Sequence, residues 1–192
     1  MNAVREAVEF SYGDAFSRVI YTESHDEVAN GSARVPQEVN DDDPTGYYAQ
    51  KRSTLGAALV LTSPGLPMIF QGQEFLEGEW FRDTVPLHWD QGAQFKGIFR
   101  MYRDLIGLRR NEEVHTKGLT GQNVETLHLH PDNHVYVFHR WADGGPHDDV
   151  VVALNLDSKT WGDYTVGMPA AGRWVTRFNS DAKVYSDAFD AV

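Results

Sequence analysis

A chain of 192 residues with 41% hydrophobic side chains can bury one core or one and a half, and no apolar run nears the ~18 residues that span a bilayer. Seventeen Lys and Arg against 28 Asp and Glu leave a formal charge of −11, which argues against nucleic acid or any phosphate backbone as a partner and does not repel a neutral polar ligand such as a sugar. With no cysteine there is no disulfide and no thiolate metal site, in keeping with a reducing, cytoplasmic compartment.

Residues 3–10 carry Ala3, Val4, Ala7 and Val8 at helical spacing, and Gly13 follows. "RVIYT" at 18–22 is short, β-branched and apolar on both faces, the pattern of a buried parallel strand. A polar loop runs to "DDDPTG", where Asp43 before Pro44 predicts an N-cap followed by proline in the first helical turn. The helix after it bears Tyr48, Leu55 and Leu59, becomes apolar all round at "LGAALVL", and is stopped by "TSPGLP" at 62–67. "MIFQG" at 68–72 predicts a second short strand. Strand, helix and strand at this spacing make a βαβ unit with a right-handed crossover. After a loop at 73–93, Phe95, Ile98, Phe99, Tyr102, Leu105 and Ile106 form one helical stripe that ends at Arg109 and Arg110. Beyond about residue 114 the period shortens. "VETLHLH", "HVYVFHR", "DVVVALNL", "DYTVGM" and "RWVTRF" predict short strands in a small antiparallel β-sandwich.

In a parallel α/β layout, chemistry gathers where strands end. Two such ends are present, Glu23-Ser24-His25-Asp26 and Gln71-Gly72-Gln73-Glu74, and paired strands ~4.8 Å apart would make them neighbours. Ser24, His25 and Asp26 are the residue types of a nucleophilic triad, but consecutive strand residues point to opposite faces and no G-x-S-x-G turn surrounds Ser24. The triad reading is therefore rejected. Asp26 and Glu74 could make a carboxylate pair for glycoside chemistry, which needs two such groups ~5–9 Å apart. The favoured reading of Glu74 is structural, a strand-end carboxylate that anchors its loop on backbone N–H groups. His128 and His130 make an H-x-H on one strand face, read as an exposed sheet face over a metal pair. "DDD" at 41–43 lacks the alternating ligand spacing of a calcium loop. Trp80 and Phe81 follow the second strand, where an aromatic ring can stack on a sugar or close the core under a loop. No metal site and no cofactor is expected.

"VIYTESHDEV" resembles the last catalytic motif of the α-amylase superfamily, and its S-H-D-E form is similar to that of glycogen branching enzymes. "PGLPMIFQGQE" resembles the strand-eight segment of that superfamily, with Gly65, Pro67, Gly72 and Glu74 in place. "FRMYRDLIGLRRNEEV" resembles its eighth barrel helix, and the strands that follow resemble its all-β C-terminal domain. The resemblance implies an α+β chain in which 1–113 is the last βα units of a (β/α)8 barrel and 114–192 an all-β antiparallel sandwich domain. It implies that Asp26 is the transition-state-stabilising aspartate, that His25 donates hydrogen bonds to the same sugar, and that Glu74 takes no part in acid–base work. Trp80 is expected on the substrate.

The superfamily's nucleophile and general acid sit in motifs that this sequence lacks: it has no G-x-R-x-D and no upstream D-x-x-x-N-H. A complete barrel needs roughly 250 residues. The chain is therefore expected to be the C-terminal portion of an enzyme that cleaves and transfers α-1,4-glucan, and inactive alone. An amylase-type hydrolase and a non-catalytic glucan-binding or assembly module are the alternatives. Exposed barrel edges would favour a homo-oligomer, and no membrane partner is expected.

Overall fold

The computed structural model describes residues 1–9, 13–145 and 148–190. Its elements in order are α1 (Asn2–Glu9), β1 (Val19–Ile20), α2 (Val35–Val39), α3 (Tyr47–Thr62), β2 (Leu66–Pro67), α4 (Gln91–Gln94), α5 (Lys96–Arg109), β3 (Asn123–His130), β4 (Val135–Trp141) and β5 (Val150–Asn155). No helix of the described residues is long and apolar enough to cross a membrane. The chain divides into two compact units, each made of three separate stretches.

One unit comprises Met1–Arg18, Thr62–Leu66 and Gly107–Val175. Its centre is the antiparallel sheet β3-β4-β5. The central strand β4 has Val135 to Arg140 all buried, with Tyr136 opposite Leu129 on one side and Leu154 on the other. A break in register between Thr126 and His128 bends β3 as a bulge does. Three arginines converge on the carbonyls of the segment between α3 and β2. Arg18 donates to Pro64 O (2.7 Å), Arg109 to Ser63 O (2.6 Å) and Gly65 O, and Arg140 to Thr62 O. Arg140 is wholly buried and also donates to Asn123 O (3.0 Å) and Gly121 O (2.6 Å). Burial, with the like charges of Arg109 and Arg18, pushes its guanidinium down to about 9. The turns around it are close-set: a Cβ on Gly118 would lie 2.3 Å from Asp148 O.

The other unit comprises Val19–Leu61, Pro67–Ile106 and Thr176–Val192. Its core packs Ala57, Ala58 and Leu61 of α3 with Ile98, Met101, Tyr102 and Leu105 of α5, and adds Leu76, Phe95, Tyr185 and Phe189. These eleven side chains, with Ile69, Ile106, Phe178 and Ala182 partly buried against them, supply the main driving force here at about 25 cal/mol per Å² taken from water. Tyr185 is tied to α5 twice, since its hydroxyl lies 3.0 Å from Asp104 Oδ2 and its carbonyl leaves no room for a side chain at Gly97.

Several sequence expectations need correction. The first strand is two residues rather than five, and it is not fully buried: Val19 is 52% exposed. Its partner lies at 66–67, before "MIFQG". Leu66 N–H donates to Arg18 O and Met68 N–H to Ile20 O, both at 2.9 Å, so the pairing advances in one direction and is parallel as expected. Pro67 lies between the two donors, where a strand N–H would face away from β1, so its missing N–H costs this pairing nothing. The described residues thus show one short parallel ladder, which alone makes no barrel. Asp43 is not an N-cap: α3 starts at Tyr47, and Asp43 belongs to the preceding turn, where its carbonyl accepts Gly46 N–H. The helix expected at 3–10 is Asn2–Glu9, and Phe10 lies outside the described residues. "DYTVGM" and "RWVTRF" are not strands. Trp174 and Val175 are exposed and 163–178 joins no ladder, so among the described residues the β region is one three-stranded sheet rather than a sandwich.

Candidate functional site

Past β1 the strand conformation lapses at once. Ser24 O accepts N–H from both Glu27 (3.2 Å) and Val28 (3.1 Å), and Ser24 Oγ accepts from Glu27 N–H (3.4 Å). Ser24 is therefore a buried turn-former whose hydroxyl faces its own backbone. His25 and Asp26 occupy the outer positions of that turn, which removes the face alternation of a strand. Their side chains stand 68% and 84% exposed, with His25 Nε2 3.2 Å from Asp26 Oδ1. A carboxylate and an imidazole held together at the surface can grip vicinal hydroxyls, one group accepting and one donating.

Beneath the turn lies a pair that sequence reasoning passed over. Glu23 and Arg34 are buried to within 2% of full enclosure and meet at 3.1 Å. Arg34 also donates to Gln71 O (2.9 Å) and Glu79 O (2.8 Å), while Glu23 Oε1 accepts Val35 N–H (2.9 Å). One guanidinium thus joins the end of β1, the segment after β2 and the loop at 79. Burial pushes the Glu23 carboxyl up, against the opposing pull of Val35 N–H and Arg34. The only sequence signal was Glu23 itself, at a strand end; the arginine that meets it lies eleven residues on in an unpatterned loop.

The second strand end supplies the rest. Gln73 donates to Thr22 Oγ1 and accepts Phe70 N–H, both at 2.7 Å, which ties it to the β1 end. Glu74 Oε2 accepts Gly72 N–H at 3.1 Å. Gly72 is left-handed (φ 93°), and a Cβ there would lie 2.6 Å from Glu77 Cβ, so only glycine fits the turn. Phe81 N–H donates to Val28 O at 2.6 Å, and its ring meets Phe70 edge-on at 5.4 Å, so Phe81 closes the layer under the loop. Trp80 stays partly open. Arg82 lies over its ring at 4.9 Å, and it borders a groove of about 580 Å³ with Gln37, Pro44, Glu77, His88 and Gln91.

The remaining candidates have other partners. His128 Nε2 lies 2.9 Å from Tyr164 OH, and His130 Nδ1 accepts Asn133 N–H. Asp41 accepts from Gln37 at 2.7 Å.

Residues 127–191 match the family described as the alpha amylase C-terminal all-beta domain. The chain is 34% identical over 191 residues to a 1,4-alpha-glucan branching enzyme of Pseudomonas fluorescens, a match that covers 93% of this chain and 24% of that protein. It is 29% identical to the branching enzyme of Marinobacter nauticus, with 84% of this chain and 26% of the relative covered. Among solved structures it shares its fold with part of a pullulanase from Anoxybacillus sp. LM18-11, at TM-score 0.62 and 23% identity over 82% of this chain and 24% of the other. The chain spans about a quarter of the length of the curated relatives it matches. With the S-H-D-E turn, the Gly72 and Glu74 loop and the C-terminal all-β match in one order, the chain belongs to the α-amylase superfamily and is similar to its 1,4-α-glucan branching enzymes.

Proposed function

We propose that this chain is the C-terminal portion of a 1,4-α-glucan branching enzyme, with residues 1–113 the last part of its catalytic barrel and 114–192 its all-β domain. The observation that carries the reading is the exposed His25–Asp26 pair at the end of a parallel strand, within a motif similar to the family's last catalytic one. Asp26 would hold the hydroxyls of the sugar at the cleaved bond and favour the charge that develops there. His25 would donate to the same ring, and Trp80 would lie along the glucan. Glu74 anchors its loop through Gly72 N–H and does no proton transfer.

Retaining transfer needs a nucleophile and a general acid about 5 Å apart. Neither has a motif in this sequence, so its share of the reaction is to bind and orient the sugar. Solubility in a cytoplasmic setting, with α-glucan as the partner, fits the acidic surface. The test is iodine staining of amylose, with reducing ends counted, after incubation with the pure chain. No change in stain and no new reducing ends are expected. Asp26-dependent turnover by the chain alone would refute the division of labour.

A further inference from the structure

The groove beside Trp80 contains a pair that the reading above leaves unused. Glu77 is 2% exposed, and its acceptor capacity is filled from three sides. Its carboxylate takes Glu79 N–H (3.1 Å) and His88 N–H (2.9 Å), and both oxygens lie within 3.2 Å of His88 Nδ1. The imidazole itself is 42% exposed and lines the groove. Because Nδ1 is engaged by the buried carboxylate, the nitrogen left for the groove is Nε2. A carboxylate that fixes one ring nitrogen sets the orientation of the other, as it does for catalytic and metal-bound histidines.

Resting on the α-glucan reading, we propose that Glu77 and His88 form a positioning pair, in which Glu77 fixes the imidazole through Nδ1 and His88 presents its Nε2 N–H to a hydroxyl of the glucan lying in the Trp80 groove. The groove's chemistry suits a neutral polyol better than an anion. The carboxylates of Glu77, Glu79 and Asp90 act on the imidazole, and the one guanidinium of the groove, Arg82, is already paired with Glu79 at 2.7 Å. Trp80 and Pro44 give apolar faces for sugar C–H groups, while Gln37, Thr45 and Gln91, which donate to Asp41, Asp43 and the Leu76 and Phe75 carbonyls, add side-chain oxygens that can accept from sugar hydroxyls. A metal is disfavoured because the carboxylate's lone pairs are spent. Glu77, then Glu79 and Asp90, keep the imidazole protonated to higher pH than an ordinary histidine, which favours the form in which Nε2 is a charged donor.

The test is titration of the chain with maltoheptaose, followed by the Trp80 indole and the His88 ring resonances in NMR. Both are expected to shift on binding. His88→Ala should weaken affinity about tenfold, as loss of one charge-assisted hydrogen bond does. Glu77→Gln should move the pH midpoint of binding downward, a change that a merely structural role would not produce. His88→Gln, which keeps a neutral donor, should recover part of the loss and guards against a folding defect in the other two. A Trp80 response with an unmoved His88 resonance and unchanged affinity in His88→Ala overturns the pair and leaves the glucan reading standing. No saturable response at either residue overturns the groove as a glucan site and counts against both.

Discussion

At the scale of single residues, Glu23 and Glu77 are two carboxylates of equal enclosure that behave oppositely. Both are 2% exposed. Glu23 has one backbone N–H and one guanidinium, and burial outweighs them, so its carboxyl lies above the ordinary 4.5. Glu77 is also opposed by burial, but two backbone N–H groups and the imidazole overcome it and hold its carboxyl below 4.5. The signs of their linkage to folding differ accordingly. For Glu77 the folded state releases the proton more readily than the unfolded one, so its contribution is complete above 4.5 and lost as pH falls through its lower folded value. For Glu23 the folded state keeps the proton longer, so its contribution declines as pH rises through 4.5 toward its higher folded value. Urea unfolding between about pH 3 and 7 checks this. The stability lost in Glu77→Gln should grow with pH, and that lost in Glu23→Gln should shrink. Parallel curves for the two variants would mean the environments are misjudged.

At the scale of elements, α5 illustrates what a periodic pattern can and cannot specify. Phe95, Ile98, Tyr102 and Leu105 are buried as the spacing predicts. Phe99, in the same predicted stripe, is 51% exposed, and Met101, outside it, is fully buried. The set 98, 101, 102, 105 satisfies helical spacing as well as 95, 98, 99, 102 does, and a sequence alone does not say around which centre the stripe is drawn. The neighbours decide: α3, Tyr185 and Phe189 line the side that Met101 faces. Leu105→Ala should therefore cost about 2–5 kcal/mol through the cavity it leaves. Phe99→Ala, starting half in water, should cost less than about 1 kcal/mol. Denaturant midpoints of the two variants at constant m-value check the ranking, and a larger loss at Phe99 would show that its ring is covered in solution.

At the scale of the molecule, the parallel pairing was legible because two apolar runs flank a helix of the right length. Its exact rungs were not, because Pro67 and Gly65 break the second run where pairing occurs. The strands β3, β4 and β5 were legible from alternation and turn residues. "DYTVGM" and "RWVTRF" have comparable composition without a ladder to join, which shows that strand propensity needs a partner to be realised. The His25–Asp26 turn could be found by resemblance, whereas Arg34, Arg109 and Arg140 could not. Arg109 and Arg140 hold backbone carbonyls distant in sequence, and Arg34 holds two such carbonyls as well as Glu23; a carbonyl belongs to every residue type.

The same interleaving bears on the boundary at 113/114 proposed for the barrel portion and the all-β domain. A cut there would leave the sheet β3-β4-β5 without α1, Arg18 and Arg109, which belong to the same compact unit. Arg140 would then lose Thr62 O and keep Asn123 O and Gly121 O, a buried cation with fewer acceptors. The other unit would lose Phe178, Tyr185 and Phe189 from one wall of its core, together with the Tyr185–Asp104 bond and the ion pair of Lys51 with Asp181. Three large apolar side chains at about 2 kcal/mol each amount to a large part of a small domain's net stability. Residues 1–113 and 114–192 prepared separately should each lack a cooperative thermal transition by circular dichroism, and mixing them should restore one. A sharp, independent melt of 114–192 would show instead that the sheet holds without the stretches the fold lends it.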